Sequence, residues 1–586
     1  MSDTKTGKAI DFKLLKRVIT FTRPYQKVLY LSMFFSILLS FLSPIRPFLI
    51  NYAVDNYIMI PDAGQLKFIC VVLLSILVLE AIVQFLYIYL ATWLGQNVIQ
   101  DLRAKTYQHI LKLKMTYFDN TPIGSLVTRT VSDIETISDI FSQGLFVIIG
   151  ELLKLIVVVC MMFYTDWRLA LISLLAIPIL LVATAWFKRN IKSAFQEVRR
   201  EVSNINTFVQ EHIVGMNLVQ IFNREDAEFQ KFKEINKNHL NAHLKSVFYY
   251  SVFFPVVEIL SALSIGLIIW YGGEAIISGK EVTLGELVAF ILYIHMMFRP
   301  IRQLADRFNI LQMGIVGSER VFKVLDTKEF ISDEGIVIKD ELEGTIEYKD
   351  VNFAYKKEEW ILKNLSFKID KGKNLALVGR TGAGKTSIIN ILNRFYEIQS
   401  GSITIDGIRI EDFKLNNLRK HIALVQQEVH LFSASIMKNI MLFDEGITED
   451  RVVNAAKEIG IHDFIMSLPG GYNYVVGERG VTLSTGQRQL ISFLRVYLRN
   501  PQVLILDEAT SSIDSYTENI LQSALHKISE GRTTIVIAHR LSTIVNSDKI
   551  LLLENGAVEE EGNHKTLMKL NRKYKQMYST QFSSLN

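Results

Sequence analysis

Gly379-Arg380-Thr381-Gly382-Ala383-Gly384-Lys385-Thr386 establishes what kind of domain the C-terminal part of this chain forms. It matches the phosphate-binding loop pattern G-x-x-x-x-G-K-[ST]. The apolar residues 375–378 before it predict a strand, and residues 387–392 after it predict a helix. In that context, backbone N–H groups and the helix N-terminus can cradle phosphate oxygens. Lys385 can then reach the β- and γ-phosphates, and the Thr386 hydroxyl can bind Mg²⁺.

Two later segments supply carboxylates and an imidazole for phosphoryl transfer. The apolar run that ends in Asp507 predicts a buried parallel strand, which delivers this carboxylate to the ligand-binding edge of a sheet. Asp507 would hold Mg²⁺ through water, and Glu508 is the candidate to polarise the attacking water. His539 follows the predicted strand 533–538, where it could contact the γ-phosphate or that water. A single His at a strand end is usually structural, but its place in this ordered set favours a functional role.

The segment Leu483-Ser484-Thr485-Gly486-Gln487-Arg488-Gln489 resembles the signature motif of the ATP-binding cassette (ABC) transporters, of the bacterial exporter half-transporter type. This motif separates that family from other P-loop ATPases. One position departs from the pattern, since the family usually has glycine where this chain has Thr485. The resemblance covers nearly the whole chain, through similar segments at 118–124, 215–219, 351–355, 477–480 and 511–514.

The resemblance implies a site for ATP and Mg²⁺ that two subunits share. The Tyr355 ring would stack on adenine. Gln427, a weak signal alone, would sense Mg²⁺ and the γ-phosphate. Ser484 and the Gly486 N–H would contact ATP held by the other subunit. The predicted nucleotide-binding residues are Tyr355, Gly379, Arg380, Thr381, Gly382, Ala383, Gly384, Lys385, Thr386, Ser387, Ser484, Thr485, Gly486, Gln487 and Asp514. The predicted catalytic residues are Lys385, Gln427, Glu508 and His539, and the predicted Mg²⁺ ligands are Thr386, Gln427 and Asp507.

Composition indicates a membrane protein with a soluble part. Of the 586 residues, 49% are hydrophobic and 21% are charged, and the mean hydropathy is +0.23. The formal net charge is only +5, from 64 basic and 59 acidic residues, which argues against a nucleic-acid partner. Cys70 and Cys160 both lie in apolar stretches, so buried thiols are expected rather than a disulfide. Residues 1–8 are polar and lack a signal-peptide core.

Six apolar stretches in the first part of the chain are long enough to cross a bilayer. They lie near residues 28–50, 68–93, 141–164, 169–187, 247–271 and 284–298. Residues 11–25 before them predict a basic amphipathic helix that lies on the membrane.

The charges between the spans predict the orientation. The connections 94–140 and 188–246 are long and rich in Lys and Arg, so the positive-inside rule places them, both termini and the ATPase in the cytosol. The expected location is the bacterial inner membrane. Both connections should be helical hairpins with turns near 119–124 and 211–218, and the resemblance implies that these tips are coupling helices that dock on ATPase domains. Solvated hairpins without a partner are the alternative.

The predicted fold class is multidomain, an all-α six-helix transmembrane domain followed by an α/β P-loop nucleotide-binding domain. Residues 1–326 would form the transmembrane domain, 327–343 a charged linker and 344–586 the ATPase domain.

Charged residues inside the spans are candidates for a functional role, because placing them in hydrocarbon costs at least ~2.5–3.5 kcal/mol at the bilayer centre. These residues are Arg46, Glu80, Glu151, Lys154 and Glu258. Glu151 and Lys154 are three residues apart on one helical face and could neutralise each other. Structural pairing and substrate contact both remain open for this set.

The sequence predicts an ATP-driven exporter subunit that moves a hydrophobic or amphipathic substrate, a lipid, a drug or a peptide, by alternating access. Its partner would be a second half-transporter, in a homodimer or a heterodimer, and Thr485 leaves that choice open. An ATP-gated channel or a regulatory half of a heterodimer is the alternative, and an importer subunit or a soluble ATPase fits the chain less well.

Overall fold

In a computed structural model of this chain, the described residues are 12–279, 282–444, 446–477, 480, 482–507, 515–537 and 544–582. The chain divides into two compact units. One comprises the residues up to Leu111 together with Ile123–Lys328, and the other comprises Lys112–Pro122 together with the residues from Glu329 onward.

The elements of the first unit are all helices or helical turns among its described residues. Its helices are α1 (Phe12–Thr20), α2 (Gln26–Ala53), α3 (Ala63–Ile110), α5 (Ile123–Thr130), α6 (Ser132–Asp139), α7 (Phe146–Thr165), α8 (Trp167–Leu174), α9 (Ile177–Val214), α10 (Met216–Ile221), α11 (Glu225–Ile277) and α12 (Leu284–Asp326), while α4 (Met115–Asn120) belongs to the second unit. π-helical turns at Val54–Ile58 and Ile140–Leu145 and a 3₁₀ turn at Arg23–Tyr25 complete the first unit.

The helices agree with the spans predicted from hydropathy. Among the described residues, five helical segments are long and apolar enough to cross a membrane, judged by length and composition. The predicted sixth span, 284–298, lies on α12. The third predicted span begins in the π-helical turn at Ile140–Leu145 and continues in α7, and the fourth is interrupted between α8 and α9.

The N-terminal helix α1 forms where it was predicted, and its apolar residues pack against α12. Leu15 and Val18 are buried in a protein cluster that includes Phe322 of α12. Arg17 donates two hydrogen bonds, of 2.7 and 2.6 Å, to the carboxylate of Asp326. α12 thus offers these two apolar residues a buried protein surface, and the position of this helix on the membrane stays a prediction.

Small residues let the membrane helices approach closely. Ser36 and Ser40 of α2 donate hydrogen bonds to the carbonyls of Phe146 and Gly150 on α7, at 3.0 and 2.9 Å. A Cβ at Gly150 would lie 2.5 Å from Ser36 Oγ, so only glycine fits this crossing. Such small-residue contacts are typical of helix association in membranes, where apolar burial gives little driving force.

The second unit is an α/β domain with two sheets. Its strands are β1 (Ile346–Ala354), β2 (Trp360–Ile369), β3 (Asn374–Gly379), β4 (Ser400–Ile405), β5 (Ile408–Arg409), β6 (Ile422–Val425), β7 (Val503–Asp507), β8 (Thr533–Ile537), β9 (Lys549–Glu554) and β10 (Ala557–Gly562). Its helices after α4 are α13 (Lys385–Leu392), α14 (Leu415–His421), α15 (Ile436–Met441), α16 (Glu449–Ile459), α17 (His462–Ser467), α18 (Thr485–Arg499), α19 (Ser515–Ser529), α20 (His564–Leu570) and α21 (Lys573–Phe582), with a 3₁₀ turn at Gly471–Asn473.

The larger sheet places the carboxyl ends of its central strands side by side. Its order is β10-β9-β3-β8-β7-β6, parallel throughout except for the edge strand β10. The smaller antiparallel sheet has the order β2-β1-β4-β5. One apolar core, with Ile388 and Leu377 among its fully buried members, joins strands of both sheets to α13. Since ligands of open α/β sheets bind beyond the carboxyl ends of parallel strands, this arrangement fixes where the site lies.

Candidate nucleotide-binding site

The phosphate-binding loop runs from the end of β3 to the start of α13, as the sequence predicted. Gly384 has φ +100° as the residue before α13, and a Cβ there would lie 2.6 Å from Leu362 Cδ2. A Cβ at Gly379 would lie 2.4 Å from the carbonyl oxygen of Leu553. The conformation and packing of the loop therefore require glycine at these two positions.

Lys385 is the buried cation of this loop. Its side chain is 9% exposed, and Nζ donates to the carbonyls of Gly379 and Arg380 at 2.7 and 3.1 Å. Burial lowers the pKa of Lys385, while the nearby carboxylate of Asp507 opposes that shift. A buried ammonium held by loop carbonyls is poised to exchange them for phosphate oxygens, which are stronger acceptors because they are charged.

Asp507 is the last residue of β7, which lies between β8 and the edge strand β6 in the larger sheet. Its partner strand β8 ends at Ile537, opposite Asp507 in the register. Gln427 is exposed and follows β6, the edge strand next to β7, by two residues. The sheet thus brings the ends of β3, β6, β7 and β8 to one edge. Glu508, Asp514 and His539 lie outside the described residues.

The donor set at this edge fits Mg²⁺. Thr386, an exposed hydroxyl at the start of α13, and Asp507, a carboxylate within electrostatic range of Lys385, are hard oxygen ligands of the kind that Mg²⁺ takes together with phosphates. Within the described part of the chain, groups of three or more His, Cys, Asp or Glu side chains that could hold a metal by themselves are absent.

Tyr355 follows β1 directly and its side chain is 42% exposed, so one face of the ring is open. Its hydroxyl lies 3.1 Å from Ser387 Oγ and accepts from Asn390 Nδ2 at 3.3 Å. Both partners belong to α13, which places the predicted adenine-stacking ring beside the phosphate loop. Phe353 and Tyr396 pack edge-on against Tyr355, with ring centroids at 4.8 and 4.9 Å.

The signature segment forms the N-terminus of α18. Ser484 caps this helix: its Oγ accepts from Gln487 N at 3.2 Å, and its own N–H donates to Gln487 Oε1 at 2.9 Å. Ser484 and Thr485 are exposed, whereas Gly486 is buried. The exposed N-terminus of this 15-residue helix carries a partial positive charge, which suits an anion.

Tyr396 is a residue that sequence reasoning missed. Its hydroxyl donates to Asp119 Oδ2 at 2.8 Å, where Asp119 lies on α4 within the second unit. Lys114 of the same segment pairs with Glu397, with both carboxylate oxygens at 3.1 Å. Burial raises the pKa of Tyr396, and the bond to Asp119 raises it further.

The position of Tyr396 has a consequence for the nucleotide site. Its ring contacts Tyr355 and its hydroxyl contacts α4, so one side chain joins the predicted coupling segment to the predicted adenine site. Residues of the predicted coupling segment and of the predicted adenine site also line one cavity of about 370 Å³. A signal for this contact is absent from the sequence, since it joins residues 277 positions apart.

Comparison with known proteins identifies both parts of the chain. Residues 29–301 match the model for the ABC transporter transmembrane region, and residues 362–511 match the ABC transporter ATPase model. YgaD of Bacillus subtilis (strain 168), named for multidrug export as an ATP-binding/permease protein, is 34% identical over 97% of this chain and 99% of its own length. An ATP-dependent lipid A-core flippase of Syntrophus aciditrophicus (strain SB) is 34% identical over 97% of this chain and 94% of its own length. The chain therefore belongs to the ABC transporter family, as an exporter-type half-transporter whose ATPase domain drives transport.

Proposed function

We propose that this chain works as one half of a dimer that exports a hydrophobic or amphipathic molecule across the bacterial inner membrane. The observation that carries this proposal is the exposed N-terminus of α18. Among the described residues, the side chains of its cap residue Ser484 and of Thr485 form hydrogen bonds only within the signature segment, with Gln487 and Arg488, and both are exposed to a partner. A second half-transporter would then supply the ATP that they bind.

Each ATP would then lie between two subunits. In one subunit, Lys385 would leave the carbonyls of Gly379 and Arg380 and bind the β- and γ-phosphates, while Tyr355 stacks on adenine. In the other subunit, Ser484 Oγ and the Gly486 N–H would contact the γ-phosphate. Bound Mg²⁺, held by Thr386 and Asp507 with Gln427 nearby, would neutralise charge on the phosphates.

Glu508 would polarise the attacking water and His539 would contact the γ-phosphate, as their positions after β7 and β8 in the sequence suggest. ATP binding stabilises the closed dimer, and hydrolysis releases it. These two states bias the membrane helices between inward- and outward-open forms, because ATP binds them with different affinity. The contacts of α4 with Tyr396 and Glu397 support the idea that α4 transmits this change.

The substrate class rests on two kinds of support. The apolar helices suit a molecule with an apolar portion, and the relatives carry names that refer to multidrug export and to lipid A-core flipping. Lipids and amphipathic drugs are therefore the first compounds to test.

The experiment uses the full chain in lipid nanodiscs. Wild-type protein should hydrolyse ATP, and amphipathic compounds should change that rate. Glu508→Gln should lower hydrolysis by about 10²–10⁴-fold, the usual contribution of a positioned base, while two ATP molecules stay bound per dimer. A Glu508→Gln protein that remains monomeric with ATP present would refute the shared site. ATPase activity that no lipid or amphipath alters, together with ion conductance in bilayers, would instead establish a channel.

A further inference from the structure

A polar cluster lies among the membrane-spanning helices of the first unit. Tyr87 of α3 is 9% exposed, and its hydroxyl is buried without a hydrogen-bond partner among the described residues. Oε2 of Glu151, on α7, is likewise buried and unpartnered within the described part of the chain. Tyr87 interacts electrostatically with Glu151 and with Arg307 of α12. Three helices thus bring a carboxylate, a phenol and a guanidinium to one region.

The backbone around Glu151 is held in place. The preceding residue, Gly150, is the point where Ser36 of α2 approaches most closely, and its carbonyl accepts from Ser40. Glu151 therefore has little freedom to move its backbone toward a partner. The side chain itself is only partly buried, so one side of it remains accessible.

Neither nearby cation neutralises Glu151. Arg307 Nη1 donates instead to Gln143 Oε1 at 3.2 Å, in the π-helical turn Ile140–Leu145. Lys154 lies three residues further along α7, yet among the described residues no ion pair joins it to Glu151, so the pairing that the sequence left open is not formed. π-helical turns inside helices are rare and occur frequently at functional sites.

The other intramembrane acid in this region behaves differently. Glu80 lies 3.1 Å from Arg46 Nε and accepts a short hydrogen bond from Ser43 Oγ. Its charge is thus compensated inside the protein. A buried carboxylate oxygen without a donor is costly, since it loses its water and gains no bond in return. Glu151 therefore keeps an acceptor free for something that enters the site.

We propose that Glu151, assisted by Tyr87, binds the protonated amino group of an amphipathic molecule, and this rests on the exporter function proposed above. An ammonium N–H supplies both the missing donor and the opposite charge, and the Tyr87 hydroxyl can accept a second N–H. The apolar portion of the ligand would lie along the surrounding apolar side chains. A single carboxylate is too small a donor set for a divalent cation, which takes six or more oxygen ligands.

The test measures ATPase activity of the full chain in phosphatidylcholine nanodiscs with two probes of equal chain length. Protonated decylamine, a primary ammonium with three N–H donors, carries the amino group, and N-decylacetamide is its neutral counterpart. Glu151→Gln should weaken the apparent affinity for the amine by about 10–100-fold, the range of a lost charge-assisted hydrogen bond. The response to the amide should stay unchanged. Tyr87→Phe should weaken the amine response by a smaller factor.

Glu258→Gln serves as the matched control, because Glu258 is another carboxylate of the predicted spans, on α11, and its side chain is exposed. It should leave both responses unchanged. Equilibrium binding of radiolabelled amine, corrected for empty nanodiscs, gives a readout independent of hydrolysis and should show the same loss in Glu151→Gln. The proposal is overturned if amine and amide act alike on wild-type protein, or if Glu151→Gln weakens both equally.

Lipid composition then identifies the source of the amine. Phosphatidylethanolamine added to the nanodiscs should compete with decylamine if a lipid headgroup occupies the site, and no competition assigns the site to soluble amphipathic amines. If the amide alters ATPase activity while the amine binds nowhere, the exporter function stands and only the amine site fails.

Discussion

Removing one hydroxyl at Tyr396 should separate ATP hydrolysis from its control by substrate. Tyr396→Phe deletes the donor to Asp119 Oδ2 at 2.8 Å but keeps the ring that packs on Tyr355 at 4.9 Å. Hydrogen bonds to charged groups contribute about 1.5–3 kcal/mol. Asp119 is exposed and its charge is screened, so we expect about 1 kcal/mol here. That free energy corresponds to a roughly fivefold change in the equilibrium constant between the inward- and outward-open forms, the change that α4 is proposed to transmit.

The assay compares basal and stimulated ATPase activity in nanodiscs over a range of ATP concentrations. Tyr396→Phe should keep KM for ATP within about twofold, because stacking at Tyr355 is unchanged. The ratio of the stimulated ATPase rate to the basal ATPase rate should fall by up to about fivefold, the change estimated above. Tyr396→Ala should also raise KM, since Tyr355 loses its ring neighbour. Asp119→Asn should reproduce the loss, and the double variant should be no worse than either single change.

Tyr472→Phe is the matched control, since its hydroxyl lies 3.0 Å from His462 Nδ1 and its ring belongs to a different apolar cluster from the one that Tyr396 packs against. This control should leave the ratio of stimulated to basal ATPase rate unaltered. A Tyr396→Phe protein with normal stimulation, or one whose only defect is KM, would show that the contact with Asp119 does not carry the signal.

Three further outcomes follow from the contacts described above. Lys385→Ala should abolish measurable hydrolysis while circular dichroism still reports a folded membrane domain, and near-normal activity would contradict the assignment of the phosphate loop. Gly150→Leu should lower stability by about 1–3 kcal/mol through overpacking against Ser36, whereas Gly266→Leu, with open space around its Cβ position, should not. Thr485→Gly should change the ATPase rate of the purified chain by less than about threefold, close to the scale of one helix-propensity difference.

The phosphate loop and the strand before Glu508 were predictable because their signals are local. The pattern from Gly379 to Thr386 imposes strand, loop and helix within a few residues, and the apolar run 503–506 can only be a buried strand. Hydropathy likewise located the spans, since a bilayer imposes a minimum length. Each of these features is decided by neighbours in sequence.

The features that were missed depend on distant partners. Hydropathy shows that Leu15 and Val18 form an apolar face, but not that α12 covers it. Helical spacing suggested that Lys154 neutralises Glu151, whereas spacing alone cannot report the crossing at Ser36 that fixes α7. The contact of Tyr396 with Asp119 joins two segments whose patterns are unrelated. Tertiary packing decides all three.

Thr485 shows how a structure can change the weight of a sequence departure. A β-branched residue in a phosphate-contacting loop would restrict the backbone, which is why the sequence leaves the choice between a homodimer and a heterodimer open. In the structure, however, Thr485 is the first residue of α18. The backbone at this position is helical and does not require glycine, so threonine fits there. Its hydroxyl accepts from Arg488 Nη2 at 3.2 Å, a bond that glycine could not provide. Ser484 keeps its capping position beside it. Thr485 then differs from glycine only in the volume of its side chain near the partner's ATP. Because this side chain is exposed, it can rotate away from that ligand. This reasoning favours a homodimer with two working ATP sites.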